Sequence, residues 1–132
     1  MTNAPVPQEE AMVRAFIVRE RRERFLELLP NPKRRRDITR LLAHANPNWF
    51  DSRFVKQVPN LTNQGLAKLL RAKGARDTCW VISEFNDMDG REMELLFALD
   101  EVVGRDMGAI LCCVPGKLAF VESEDGRFIL EK

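Results

Sequence analysis

Residues 78–121, TCWVISEFNDMDGREMELLFALDEVVGRDMGAILCCVPGKLAFV, decide the fold. Thr78–Ser83 (TCWVIS) is rich in β-branched and aromatic residues, and Ala109–Val114 (AILCCV) is apolar without a break. A strand that is apolar on both faces belongs in the middle of a sheet covered on both sides. Between these runs, Arg91–Val103 reads as a helix. Asp89 and Glu92 stand at its start with the spacing of a capping box, in which each side chain satisfies a backbone N–H at the other position. Leu95–Leu99 is apolar all round, which predicts deep burial, and each large apolar side chain contributes about 1.5–3 kcal/mol. A helical connection between two strands of one sheet predicts a right-handed parallel crossover. Beyond Val114, Pro115-Gly116 fits the centre of a type II turn and Lys117–Glu122 returns antiparallel. Glu124-Asp125-Gly126 marks another turn, and Arg127–Glu131 reads as an edge strand.

Toward the N-terminus the pattern becomes helical. Residues 1–7 carry no pattern and read as a flexible tail, and Gln8–Leu29 reads as helix with Glu9 and Glu10 favourably placed in its first turn. The charged run Arg19–Arg24 interrupts the apolar face. It is either a solvated turn of one helix or a break that leaves Met12–Val18 as a separate element. Pro30 ends the segment. Asn31 and Pro32 are a cap and first-position pair for a second helix reaching about Ala45, with Ile38, Leu41, Leu42 and Ala45 inward. Lys33–Arg36 crowd the positive end of that helix, where cations are locally unfavourable, so they are not there for helix stability. Asp51 caps a short helix that ends before Pro59. Thr62 caps another, with Leu66, Leu69 and Leu70 inward and Gly74 as its stop. The expected fold class is therefore α+β. Three to four helices, residues 8–76, pack on a small mixed sheet of β-α-β-β order, residues 77–132, in one domain spanning 8–132.

Composition narrows the function classes. With 45% hydrophobic and 31% charged residues the chain is ordinary globular material, which excludes wholesale disorder. It has no apolar run long enough to span a membrane and no secretory pattern at its start. Cys79, Cys112 and Cys113 lie in apolar strands and read as buried thiols, and without a CxxC pair no zinc site or cofactor is expected. A reducing, cytoplasmic location follows as the default expectation. The net charge of +1 conceals a division. Residues 1–76 hold 16 Lys and Arg against 7 Asp and Glu, a net +9, whereas residues 77–132 hold 5 against 13, a net −8. Such asymmetry points to a charged partner, to nucleic acid, or to the two halves facing one another.

Three functional readings follow. The first is a non-catalytic binding or regulatory protein. Its basic half, through Arg21, Arg22, Arg24, Lys33, Arg34, Arg35, Arg36 and Arg40, engages an acidic protein or a second copy of itself. The second sets the same cations against nucleic-acid phosphates, with Trp49 and Phe50 available for base stacking. Interleaved Glu20, Glu23, Glu27 and Asp37 weigh against it, and no DNA- or RNA-binding signature is present. The third depends on the parallel crossover, which would bring Glu84, Asp87, Asp89, Arg91 and Lys117 to one sheet edge as a metal-dependent hydrolase site. Ordinary loop, cap and turn roles account for the same residues, and NDMDG fails the calcium-loop pattern because Phe85 and Leu96 fall where oxygen ligands are needed. His44 with a cysteine forms no oriented nucleophile pair, since Cys112 and Cys113 point to opposite faces of their strand; His44 reads as a helix-end residue.

Overall fold

A computed structural model describes residues 4–43, 47–105, 107–124 and 126–132. The fold is α+β. Six strands form one sheet: β1 (Val55–Gln57), β2 (Thr78–Ser83), β3 (Arg91–Glu94), β4 (Ala109–Val114), β5 (Leu118–Ser123) and β6 (Gly126–Glu131). Their order across the sheet is β1-β6-β5-β4-β2-β3, and every neighbouring pair is antiparallel. Five helices cover it: α1 (Pro7–Phe16), α2 (Arg19–Leu28), α3 (Arg35–Ala43), α4 (Asn63–Ala72) and α5 (Leu95–Val102).

The two apolar faces of the central strands have the expected consequence. Ile82, Ile110, Cys112, Ala119 and Val121 pack with Met12, Phe16, Phe25, Leu28 and Ile38 of α1, α2 and α3. Val81, Leu111, Cys113, Phe120 and Ile129 pack on the other face with Leu66, Leu70, Leu95, Ala98 and Leu99 of α4 and α5. Period-two alternation along each strand assigns these residues to their layers, and Cys112 and Cys113 do part to opposite faces.

The parallel crossover does not form. Trp80 pairs with Cys112 and Ser83 with Ala109, so β2 and β4 run in opposite directions, and the sheet is antiparallel rather than mixed. The cause lies in Arg91–Glu94, which is the strand β3 and not the first turn of a helix. Gly90, at φ +71°, donates its N–H to Val81 O at 2.8 Å, and β3 then runs back along the open side of β2. This extra reversal turns the chain once more before α5, so β4 enters the sheet inverted. From β2 to β6 the order is therefore β-β-α-β-β-β, where β-α-β-β was expected. The Asp89/Glu92 capping box is replaced as well. Glu94 caps α5 by accepting from Phe97 N at 2.7 Å, and Glu92 accepts from the Thr78 hydroxyl.

Elsewhere the local chemistry holds. Thr62 Oγ1 accepts from Gly65 N at 3.1 Å and caps α4, and Gly74 follows that helix at φ +114°. Gly116, at φ +70°, completes the Pro115-Gly116 turn, closed by Lys117 N donating to Val114 O at 3.0 Å. The charged interruption in the first segment is a real break. Ile17 leaves the helix to bridge Phe50, while Val18 N donates to Trp49 O and Asp51 N to Phe16 O. Asn31 Oδ1 accepts from Lys33 N, and the chain turns before α3 begins at Arg35, later than the Asn31-Pro32 pair suggests. Asp51 caps a single 3-10 turn, Ser52–Phe54, after which β1 pairs with β6. Arg127–Glu131 is consequently an interior strand and not an edge. His44 and Asp125 lie outside the described residues.

Candidate functional site

Antiparallel β2 and β4 separate the residues of the hydrolase reading. The segment after Ser83 lies beside the start of β4. There Glu84 N donates to Gly108 O, and Gly108 N donates to Glu84 Oε2 at 2.8 Å. Lys117 follows the far end of β4, a six-residue strand and so roughly 20 Å away. Asp87 is exposed beside α5, whereas Asp89 turns inward. Glu84, Asp87, Asp89 and Lys117 thus share no site. Among the described residues no group of three His, Cys, Asp or Glu is arranged to hold a metal ion.

Asp89 instead belongs to a buried junction built on Arg35. Arg35 Nη1 and Nη2 grip Glu9 in a fork at 2.8 and 2.6 Å, Nε and Nη2 grip Asp89, and Nη1 also donates to Leu29 O at 3.1 Å. All five guanidinium N–H donors are therefore used, which only the planar fork of arginine permits. Glu9, at 2% exposure, also accepts from Trp80 Nε1 at 2.8 Å, and Asp89 Oδ1 accepts from Ser83 N at 2.9 Å. Burial by itself would lower the pKa of Arg35. The hydrogen bonds to Glu9 and Asp89 and their charges outweigh that and raise it, so the guanidinium is permanently charged. One cation thereby ties α1, α3, β2 and the β2–β3 loop together. Arg35 is an internal ion and not part of a docking surface.

The remaining cations of the basic half divide by what they touch. Arg34 pairs with Asp37 at 2.9 Å, Arg22 Nε donates to Ile17 O, and the Arg21 guanidinium lies 5.2 Å above the Trp49 ring. Arg24, Lys33, Arg36 and Arg40 are exposed, and among the described residues none has a carboxylate within ion-pair distance. Arg36, Thr39 and Arg40 face Glu84, Asn86 and Met107 across a cleft of about 140 Å³. Trp49 is half-buried beneath Arg21 and edge-on to Phe25, and Phe50 is buried against Phe128. Phe50 is therefore not available for base stacking, and Trp49 already carries Arg21 over its ring.

The three thiols are buried and unpaired. Desolvation, with some repulsion from Glu92 and Glu94, pushes the Cys79 thiol up to about 12. Desolvation likewise raises Cys112 and Cys113. A nucleophilic cysteine needs the opposite shift.

Glu9 and Trp80 are the participants that the sequence did not single out. Both left a signal: a tryptophan N–H in an otherwise apolar strand requires an acceptor, and an arginine at the unfavourable end of a helix requires a reason. Among the described residues no helix is long and apolar enough to cross a membrane. Comparison of the chain with protein-family models, with curated proteins and with solved structures finds no match.

Proposed function

We propose that this chain is a non-catalytic binding or regulatory protein that engages an acidic protein surface through the exposed cations of α2, α3 and the turn between them. The observation that carries this reading is the group Arg24, Lys33, Arg36 and Arg40, exposed and without carboxylate partners among the described residues. Their neighbours Arg34 and Arg35 are already satisfied within the molecule. Exposed cations left uncompensated keep their full field for a partner, and their chief effect is on encounter and specificity.

Fluorescence anisotropy with labelled polyglutamate, single-stranded RNA and duplex DNA across a salt series tests the reading. Binding to polyglutamate at low ionic strength, lost as salt rises and weakened in Arg36→Ala/Arg40→Ala, supports it. Absence of polyglutamate binding at low salt overturns it. A marked preference for RNA or DNA, with an affinity that falls steeply as counterions are added, transfers the face to phosphate recognition instead.

A further inference from the structure

The acidic half presents the complement of this basic face. Phe97 of α5 is 53% exposed and lies in a groove of about 410 Å³ lined also by Asp87, Glu92 and Glu101, the last paired with Arg105, and by one cation, Arg91. Three carboxylates near it are held by neutral donors: Glu92 by the Thr78 hydroxyl, Glu94 by Phe97 N and Asp100 by the Asn63 amide. Hydrogen bonding to neutral groups fixes these side chains without cancelling their charge. On the basic side Leu41, 42% exposed, lies on α3 beside Arg40.

Within one molecule neither Arg36 nor Arg40 has a carboxylate within ion-pair distance among the described residues. The α2–α3 layer covers one face of the sheet and α5 the other. The basic patch with its exposed leucine, and the α5–β3 patch in which carboxylates outnumber Arg91 around an exposed phenylalanine, are complementary between two copies.

We propose that the Phe97 face of α5 and β3 receives the Arg36–Arg40–Leu41 face of a second copy, in a head-to-tail contact. This rests on the reading of the basic face above and names its acidic partner. The contact is heterologous, since each copy contributes different residues, and it generates rings or open chains rather than a closed two-fold dimer.

Two single-face variants test it: Arg36→Glu/Arg40→Glu, with the basic face reversed, and Asp87→Lys/Asp100→Lys, with the acidic face reversed. Sedimentation velocity follows each alone and the two mixed. The wild type is expected to associate at about 0.01 M salt and to dissociate near 1 M. Each variant alone should lose self-association by on the order of a hundredfold, because like charges then meet. The mixture of the two should associate again, because the reversed basic face of one variant meets the reversed acidic face of the other, and the two native faces also meet, each pair being of opposite sign. A third chain carrying all four reversals should associate with itself again, as both faces have exchanged sign. Phe97→Ser, at a surface position that leaves the core intact, should weaken wild-type association about tenfold. A wild type that is monomeric at low salt overturns the proposal, as does association unaffected by the single-face variants. Polyglutamate binding by Phe97→Ser, whose charges are unchanged, reads the basic face separately. If that binding persists while the wild type never self-associates, this inference fails and the reading of the basic face stands.

Discussion

Arg35 and Arg36 are neighbours in the chain and opposites in the molecule. Arg35 points inward and spends every donor on Glu9, Asp89 and Leu29 O, whereas Arg36 points outward and meets no carboxylate among the described residues. One helical step of about 100° separates a structural ion from a candidate contact residue. A run of like charges is therefore not one feature. Its members divide according to which of them the rest of the fold surrounds.

The largest expected effect comes from emptying the interior position. Arg35→Met leaves two largely buried carboxylates facing each other without a cation, and about 3–5 kcal/mol of stability should be lost in denaturant titration. Adding Glu9→Gln and Asp89→Asn should restore at least about half of that loss. The two amides still offer oxygens to Trp80 and Ser83, and no buried charge remains uncompensated. If Arg35→Met has the stability of the wild type, the distinction between the inner and outer arginine collapses.

The buried thiols extend the comparison to alkaline pH. Unfolded cysteines ionise near 9, while the folded Cys79 thiol stays protonated to about 12. Above pH 9 the unfolded chain thus binds fewer protons, and stability falls as pH rises through this window. By about pH 10 each raised thiol should account for about 1–2 kcal/mol of that loss, checked by denaturation at pH 7 and pH 10 with Cys79→Ala for comparison. All three thiols should resist a thiol reagent in the native state and react in denaturant.

The outer cations should behave in the opposite way. Arg36→Ala and Arg40→Ala should each shift stability by less than about 0.5 kcal/mol, while polyglutamate affinity at low salt falls about three- to tenfold. A stability loss comparable to that of Arg35→Met would place them in the structural class. The smallest effect concerns Asp51, whose carboxyl is drawn down to about 2, chiefly by the Arg53 side chain and then by its backbone N–H. The stabilisation is present above the ordinary carboxylate value of 3.8 and is lost as pH falls through about 2. Asp51→Asn should slightly flatten the acid limb of an unfolding curve, lowering stability a little at neutral pH and leaving it unchanged below about pH 2.

Much of the architecture was legible in the chain. The β-branched and aromatic run TCWVIS and the unbroken apolar run AILCCV required a sheet covered on both faces, and both faces are covered. Thr62 and the Pro115-Gly116 turn act where their side chains and backbone preferences place them. The candidate site was far less legible. Glu84, Asp87, Asp89 and Lys117 were joined only by an assumed strand direction, and REME, four residues with no decisive propensity, reversed it. Pairing to the open side of β2 outweighed the weak local preference for helix, because sheet neighbours and not the segment itself fix a strand.

The sequence by itself determined most of the helical and extended segments, β1 and β3 excepted, the layering of the sheet and the division of charge, since these follow from side-chain period, capping chemistry and composition. Tertiary structure alone decided the direction of β4 relative to β2 and the choice of Arg35 from a run of cations. Both depend on partners distant in the chain: the carboxylates that hold Arg35 lie 26 and 54 residues away. Local free-energy preferences cannot encode such contacts, because their desolvation and charge terms exist only once the surrounding layers have closed around them.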